Sequence, residues 1–256
     1  MTTPRWALVR PIPRAMVDAT TQAPRVAPIS LSRCQTQHQR YVEALASLGV
    51  RLRWATAADH LADSVFVEDQ AVVLGDVVLL TQSGHLPRRA ERPGIEAALP
   101  AGLRVVRMDG AASLDGGDVL LTGEHLFVGR SSRTNDAGVA QLTDAARPLG
   151  LRLHEVEVPG DLHLKCSCSP LGEGVVLASP RAPVAALTAH ARVLHVDEAE
   201  SYAANIVAIG RSALVAAGFP GVLATLRGAG WSAIEVDVSE IARADGSLTC
   251  MSVLGG

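Results

Sequence analysis

Lysine is almost absent from this chain: Lys165 stands alone against 22 arginines. Aromatic side chains are also scarce, at 3% of 256 residues, which leaves little scope for a surface that stacks nucleic-acid bases. Neither sign of charge dominates. A net charge of −3 gives no support to nucleic-acid or anionic-membrane binding. No apolar run approaches the length that spans a bilayer. The segment MTTPRWALVRPIP lacks the apolar stretch of a secretory leader. Four cysteines (Cys34, Cys166, Cys168 and Cys250) in a chain of this length do not build a disulfide framework. The expected compartment is therefore a reducing cytoplasm, where thiols stay free. No stretch reads as a linker, so a single domain over residues 1–256 is expected.

What is present is a repeat. SVFVEDQAVVLGDVVLLTQ reads as two apolar runs around a Gly-Asp turn, a hairpin signal. A helical stretch, LPRRAERPGIEAAL, and a short strand, RVVRMD, follow it. The order strand, strand, helix, strand returns three more times, with hairpins beginning near residues 65, 117, 163 and 203. In the second unit the helix ends at Gly150, a residue suited to the position after a helix. A period of this size suggests a propeller or array. The leftover ends are WALVRPI, a helix over SRCQTQHQRYVEALASLG, and VRLRWAT at the start, with LTCMSVLG at the finish. They make a fifth unit if the last strand pairs with the first. That closure protects the sheet edges and puts Cys250 in the closing strand.

In a propeller the hairpin starts meet near the axis. They read FVED, LDGGD, LHLK, YAAN and LTCMS, and four of the five carry reactive side chains: Asp69 with Glu68, Asp115 or Asp118, His163, and Cys250. A cysteine brought beside a histidine is a nucleophile candidate. A nearby cation lowers a thiol's pKa. His163 is suited to protonate a leaving group and then activate water, with Asp115 orienting it. Asp69 and Glu68 offer a planar guanidinium paired, charge-assisted hydrogen bonds. Thiol, imidazole and acidic pair together suggest displacement at a guanidinium or amide carbon.

The blocks DSVFVEDQAVV, PRRAE, LDGGDVL, RTN, LHLK, SYAAN and DGSLTCMS, in this order, resemble the dimethylarginine dimethylaminohydrolases. These belong to the guanidino-group-modifying, or pentein, enzymes. The resemblance runs from about residue 10 to 253. It implies an α/β fold, the five-bladed pentein propeller of strand-strand-helix-strand modules, closed by pairing of the terminal strands. It implies hydrolysis of asymmetric dimethylarginine or monomethylarginine to citrulline and the methylated amine, through a thiouronium intermediate on Cys250. It also implies His163 as acid and base, and Asp115, in place of a glutamate found in some relatives, as the group that orients it. Asp69, Glu68 and Asp63 fall where relatives contact the guanidinium and the rest of the substrate. Arg88 and Arg133 fall where they hold its amino-acid end, and Thr20 and Ala244 where backbone carbonyls do. Relatives often have leucine where Thr20 stands, in a loop that acts as a lid. The resemblance implies no cofactor, with zinc at Cys250 and His163 only as an inhibitor.

Arginine deiminases resemble the chain too, but carry His-x-Asp where it has HLK, and are much longer. On a strand, His163 and Lys165 share a face, with the lysine free to extend outward. On the same strand Cys166 and Cys168 lie opposite His163, which reads as core thiols rather than a zinc site. Cys34 reads as a structural thiol in a helix. Asp118 reads as a turn residue, and Phe66 as either pocket wall or core. The rival functions are an arginine deiminase or amidinotransferase, and a non-catalytic pentein binding protein. The expected partner is a small methylated arginine, bound by a monomer or homodimer.

Overall fold

A computed structural model describes residues 3–22, 24, 25 and 27–256; the first two residues of MTTPRWALVRPIP lie outside them. Five three-stranded sheets are built on one plan. The four complete within one stretch of chain are β3 (Ala71–Leu74), β4 (Val77–Leu80) and β5 (Arg104–Arg107); β6 (Val119–Thr122), β7 (His125–Arg130) and β8 (Arg152–Glu157); β9 (Cys168–Gly172), β10 (Val175–Ala178) and β11 (Arg192–His195); and β12 (Val207–Ile209), β13 (Ser212–Ala216) and β14 (Ser232–Val236). In each, the first strand pairs antiparallel with the second, and the third runs parallel to the second.

A parallel neighbour needs a crossover. The crossovers carry α2 (Arg92–Glu96), α3 (Asp136–Ala146), α4 (Val184–Thr188) and α5 (Pro220–Gly228). The fifth sheet joins the two ends. β1 (Trp6–Val9) runs parallel to β2 (Arg51–Trp54) across α1 (Leu31–Ser47), and antiparallel to β15 (Val253–Gly255). Leu8 faces Val253 and Trp6 faces Gly255, so the expected terminal pairing is present.

Composition explains which strand lies where. The middle strands WALV, VVLL and VVLA are buried at every position, as strands covered on both faces must be. The third strands, such as RLRW and RVVR, mix arginine with apolar groups and are only partly buried, at the rim. α1 packs its Cys34, Tyr41, Val42 and Leu45 stripe inward, the spacing of one helical face.

Two expectations need correction. LPRRAERPGIEAAL is not one helix. A 3-10 turn over Leu86–Glu91 precedes α2, because the prolines at 87 and 93 lack the N–H that a continuous helix requires. The inner strands also start later than expected. Each is preceded by a 3-10 turn, at Val67–Gln70, Gly116–Asp118, Leu164–Cys166, Glu198–Ala204 and Thr249–Met251. Gly, Asp and Lys are weak strand formers, and the first three of these turns hold them. Cys250 therefore sits on the turn before the closing strand, not within it. Among the described residues no helix is long and apolar enough to cross a membrane.

Candidate active site

The inner turns converge, and with them the reactive side chains. His163, extended at the entrance to its turn, places Nε2 3.1 Å from Asp115 Oδ2. Its Nδ1 lies 3.9 Å from Asp69 Oδ1. The two glycines of LDGGD make this closeness feasible. A Cβ on Gly117 would fall 2.7 Å from His163 Nδ1 and 2.9 Å from Asp69 Oδ1, and one on Gly116 would fall 2.1 Å from the Glu68 carbonyl. Asp118 is more than a turn residue. It accepts from Ser131 Oγ at 2.5 Å, Thr134 Oγ1 at 2.6 Å and the Leu164 amide at 3.0 Å, fastening the turn that carries His163.

The charges decide the resting protonation. Burial opposes a charge on His163, but Asp69 and the Asp115 hydrogen bond outweigh it and raise its pKa to about 9. Burial would raise Asp69 too, yet His163, Arg88 and the Gly117 amide bring it down to about 2. The Cys250 thiol is pushed up by burial, then by Glu68 and Asp69. Asp69 thus acts on both the sulfur and the imidazole. These directions favour an imidazolium and a protonated thiol in the free site.

Beneath them lies a second polar layer. Lys165 does not extend outward: its Nζ donates to Glu68 Oε1 at 2.6 Å, because the residues expected on a strand face form a turn. Thr249 Oγ1 donates to Glu68 Oε2 at 2.7 Å. Asn205 closes the network, donating to the Lys165 carbonyl and to Thr249 Oγ1 while accepting the Thr249 amide. Glu68, Lys165 and Thr249 also line an axial cavity of about 730 Å³ between the inner strands. Cys250, His163, Asp69 and Asp115 are not among its lining residues, so the layer marks the cavity's inner end.

Arg88 is buried and every guanidinium nitrogen is engaged. Nη1 meets Asp69 Oδ2 at 2.6 Å, Nε and Nη2 meet Glu91 at 3.1 and 3.0 Å, and Nη2 meets the Phe66 carbonyl at 2.8 Å. The resemblance gave it the substrate's amino-acid end; here it anchors two carboxylates. Arg133 is half-buried with its backbone against Gly84, whose amide reaches Asp115 Oδ1 at 3.3 Å. Thr20 lies over Asp63, giving it an amide bond of 3.0 Å and a hydroxyl bond of 2.9 Å. The adjoining Gln22 amide bonds Asp245, next to Ala244, so the Thr20 and Ala244 loops are tied together. Phe66 is buried in the core, its ring in the space a Cβ on Gly246 would take.

Asn205 and Glu91 carried no role in the sequence reading. Their signals were the last residue of the one hairpin start without reactive chemistry, and the i+3 spacing from Arg88. Cys166 and Cys168 are free thiols, each pushed up to about 12 by burial. Asp69, Asp115 and His163 hold ligand atoms within 4.8 Å of one another, the spacing of a metal cage. Their oxygens, however, already face Arg88, His163 and two backbone amides, a donor set balanced by the protein's own cations.

Fold and site together define a guanidino-group-modifying enzyme of the pentein class, with a cysteine, a histidine and carboxylates gathered where five sheets meet. No protein-family model matches the chain. It is 39% identical over 250 residues to the N(G),N(G)-dimethylarginine dimethylaminohydrolase of Streptomyces coelicolor, covering 96% of this chain and 95% of that one. It is 29% identical to the enzyme of that name from Pseudomonas aeruginosa, over 94% and 95% of the two chains. The solved structure of the Pseudomonas aeruginosa enzyme, a cysteine-to-serine mutant complexed with citrulline, superposes with a TM-score of 0.93 at 27% identity, covering 99% of this chain and all of that one. The chain belongs to the dimethylarginine dimethylaminohydrolase family.

Proposed function

We propose that the protein hydrolyses N-methylated arginines to citrulline and methylamine or dimethylamine, as a member of its family whose solved relative holds citrulline. The carrying observation is the convergence of the turns that bear Cys250, Asp69, Asp115 and His163, with His163 Nε2 3.1 Å from Asp115 Oδ2. Burial, then Glu68 and Asp69, favour the protonated Cys250 thiol. A guanidinium bound between Cys250 and Asp69 brings a cation, the thiol proton passes to solvent, and the thiolate forms where its electrophile is bound.

Cys250 Sγ then bonds to the guanidinium carbon. The bond from that carbon to the methylated nitrogen breaks, and the amine leaves with a proton from the His163 imidazolium. The remaining neutral imidazole takes a proton from water, whose oxygen attacks the thiouronium carbon. The carbon–sulfur bond breaks, the remaining O–H proton passes to the departing sulfur, and neutral citrulline and the thiol are released. Asp115 holds the ring through Nε2. Asp69 and Glu68 hold the guanidinium, Asp63 and Arg133 the amino-acid end, and Arg88 sets the angle of Asp69. The Thr20 and Ala244 loops supply backbone contacts over the pocket. No cofactor enters any step. The substrate is a small molecule; a cytoplasmic monomer or homodimer without nucleic-acid or membrane partners accords with the charge and hydropathy.

Lys165 argues against the arginine deiminase reading. The position that resembles their second carboxylate is a lysine held against Glu68. A carboxylate there would lie beside a methylated nitrogen with no donor to offer, a mismatch of about 1–3 kcal/mol. Purified protein given asymmetric dimethylarginine, monomethylarginine and arginine, with citrulline as readout, tests the proposal. Turnover of the methylated forms well above arginine is expected; equal or faster turnover of arginine overturns it.

A further inference from the structure

Three of the eight histidines come together far from the site just described. His125 opens β7, His154 lies on β8, and His190 follows α4 in the next module. The ring centroids of His125 and His154 are 5.1 Å apart, those of His125 and His190 4.5 Å, and those of His154 and His190 4.1 Å. His125 Nδ1 is 2.9 Å from His154 Nε2, so one of these rings gives the other a proton and at least one is neutral. One nitrogen from each of the three rings lies within 4.8 Å of the others. Phe127, wholly buried, floors the group, its ring stacked 5.1 Å from His154.

We propose that His125, His154 and His190 bind a divalent first-row transition ion, zinc being the probe of choice, and thereby clasp the second strand-strand-helix-strand module to the third. The donor set is three imidazoles with no carboxylate, which suits zinc, nickel or copper and not calcium or magnesium. Three protein nitrogens leave a fourth tetrahedral position for water, and the exposed His190 side keeps it open. The rings are near-parallel, so they must turn for their lone pairs to converge. The terminal torsion of histidine is broad, and His190 has solvent beside it. Unprotonated imidazole is the form that binds metal.

The location separates this site from catalysis. Asp118 lies just before β6, and His125 pairs with Thr122 at its far end. Four strand residues span about 13 Å, so the ion lies at the end of the β6–β7 hairpin opposite the turn that holds Asp115 and Asp118.

The test uses untagged, chelator-dialysed protein titrated with zinc chloride by calorimetry, beside His190→Ala and His154→Gln. The wild type is expected to bind one zinc per chain more than either variant, and to gain about 5 °C or more in Tm at a hundredfold excess over Kd. Calcium should produce no shift, and zinc-free turnover should match across all three proteins. His190 is exposed, so its truncation leaves the core packed. Equal zinc stoichiometry in the wild type and His190→Ala overturns the proposal, as does a wild type that binds none. Cobalt(II) supplies a second readout: visible bands without sulfur charge transfer support three nitrogens, whereas a thiolate band in place of the lost site assigns the ion to Cys250.

Discussion

Gly117 lies flat against the imidazole of His163, so close that a methyl group would fall 2.7 Å from Nδ1. The same methyl would press on Asp69, whose oxygen accepts the Gly117 amide at 3.0 Å. Gly117→Ala should therefore displace both the acid–base group and a guanidinium partner. Misplacement by an ångström costs about 100-fold in rate, and a loss of at least that size in kcat/KM is expected with folding preserved. Steady-state kinetics beside circular dichroism check it.

The raised pKa of His163 predicts a pH dependence of stability. Its folded value of about 9 exceeds the ordinary histidine value of 6.5. Its stabilising contribution is complete below pH 6.5 and is lost as pH rises through 9, on the order of 3 kcal/mol across that window. His163→Gln should flatten this part of the profile. Urea denaturation of both proteins from pH 6 to 9.5 measures it; an unchanged slope in the variant contradicts the assignment.

Cys250 should be slow to alkylate in the free enzyme at pH 7.5, because burial, Glu68 and Asp69 favour the thiol. A small guanidinium or amidinium ion that leaves the sulfur accessible should accelerate the reaction. Iodoacetamide labelling, mapped by mass spectrometry to Cys250, reads this. Fast labelling without a cation would show a thiolate already formed.

Lys165 and Glu68 test the layer below. Lys165→Met leaves the buried Glu68 without its cation, and a loss of about 3 kcal/mol is expected. The double variant Lys165→Met with Glu68→Gln should recover part of that loss, since no charge is then stranded. Denaturant midpoints of the two single variants and the double variant complete the cycle.

Thr20→Leu would remove the hydroxyl bond to Asp63 and keep the amide bond. About 1 kcal/mol of loop fastening should be lost, seen as a higher KM with kcat little changed.

Much of the architecture could be read from alternation alone. VVLL against RVVR already separates a strand covered on both sides from one at the rim, and the unmatched LTCMSVLG foretold the pairing of Val253 with Leu8. The turns were harder. Residues such as Glu68, Asp118 and Lys165 occupy strand-like stretches, but they follow 3-10 geometry because each must reach a partner on another module. That demand is invisible in a local pattern. It also hid the direction of Lys165, the inward commitment of Arg88, and the bracing by Asn205, whose partners lie 40 and 44 residues away.

The pairing of β1 with β15 has a temporal consequence. It joins the most distant segments of the chain, and contacts of such separation form late in folding. The carboxylates proposed to hold the substrate sit on modules complete within themselves, whereas Cys250 stands just before the strand that waits for both ends of the chain. Chemistry is thus armed after recognition is in place, and catalytic activity becomes a reporter that the whole circuit of modules has assembled.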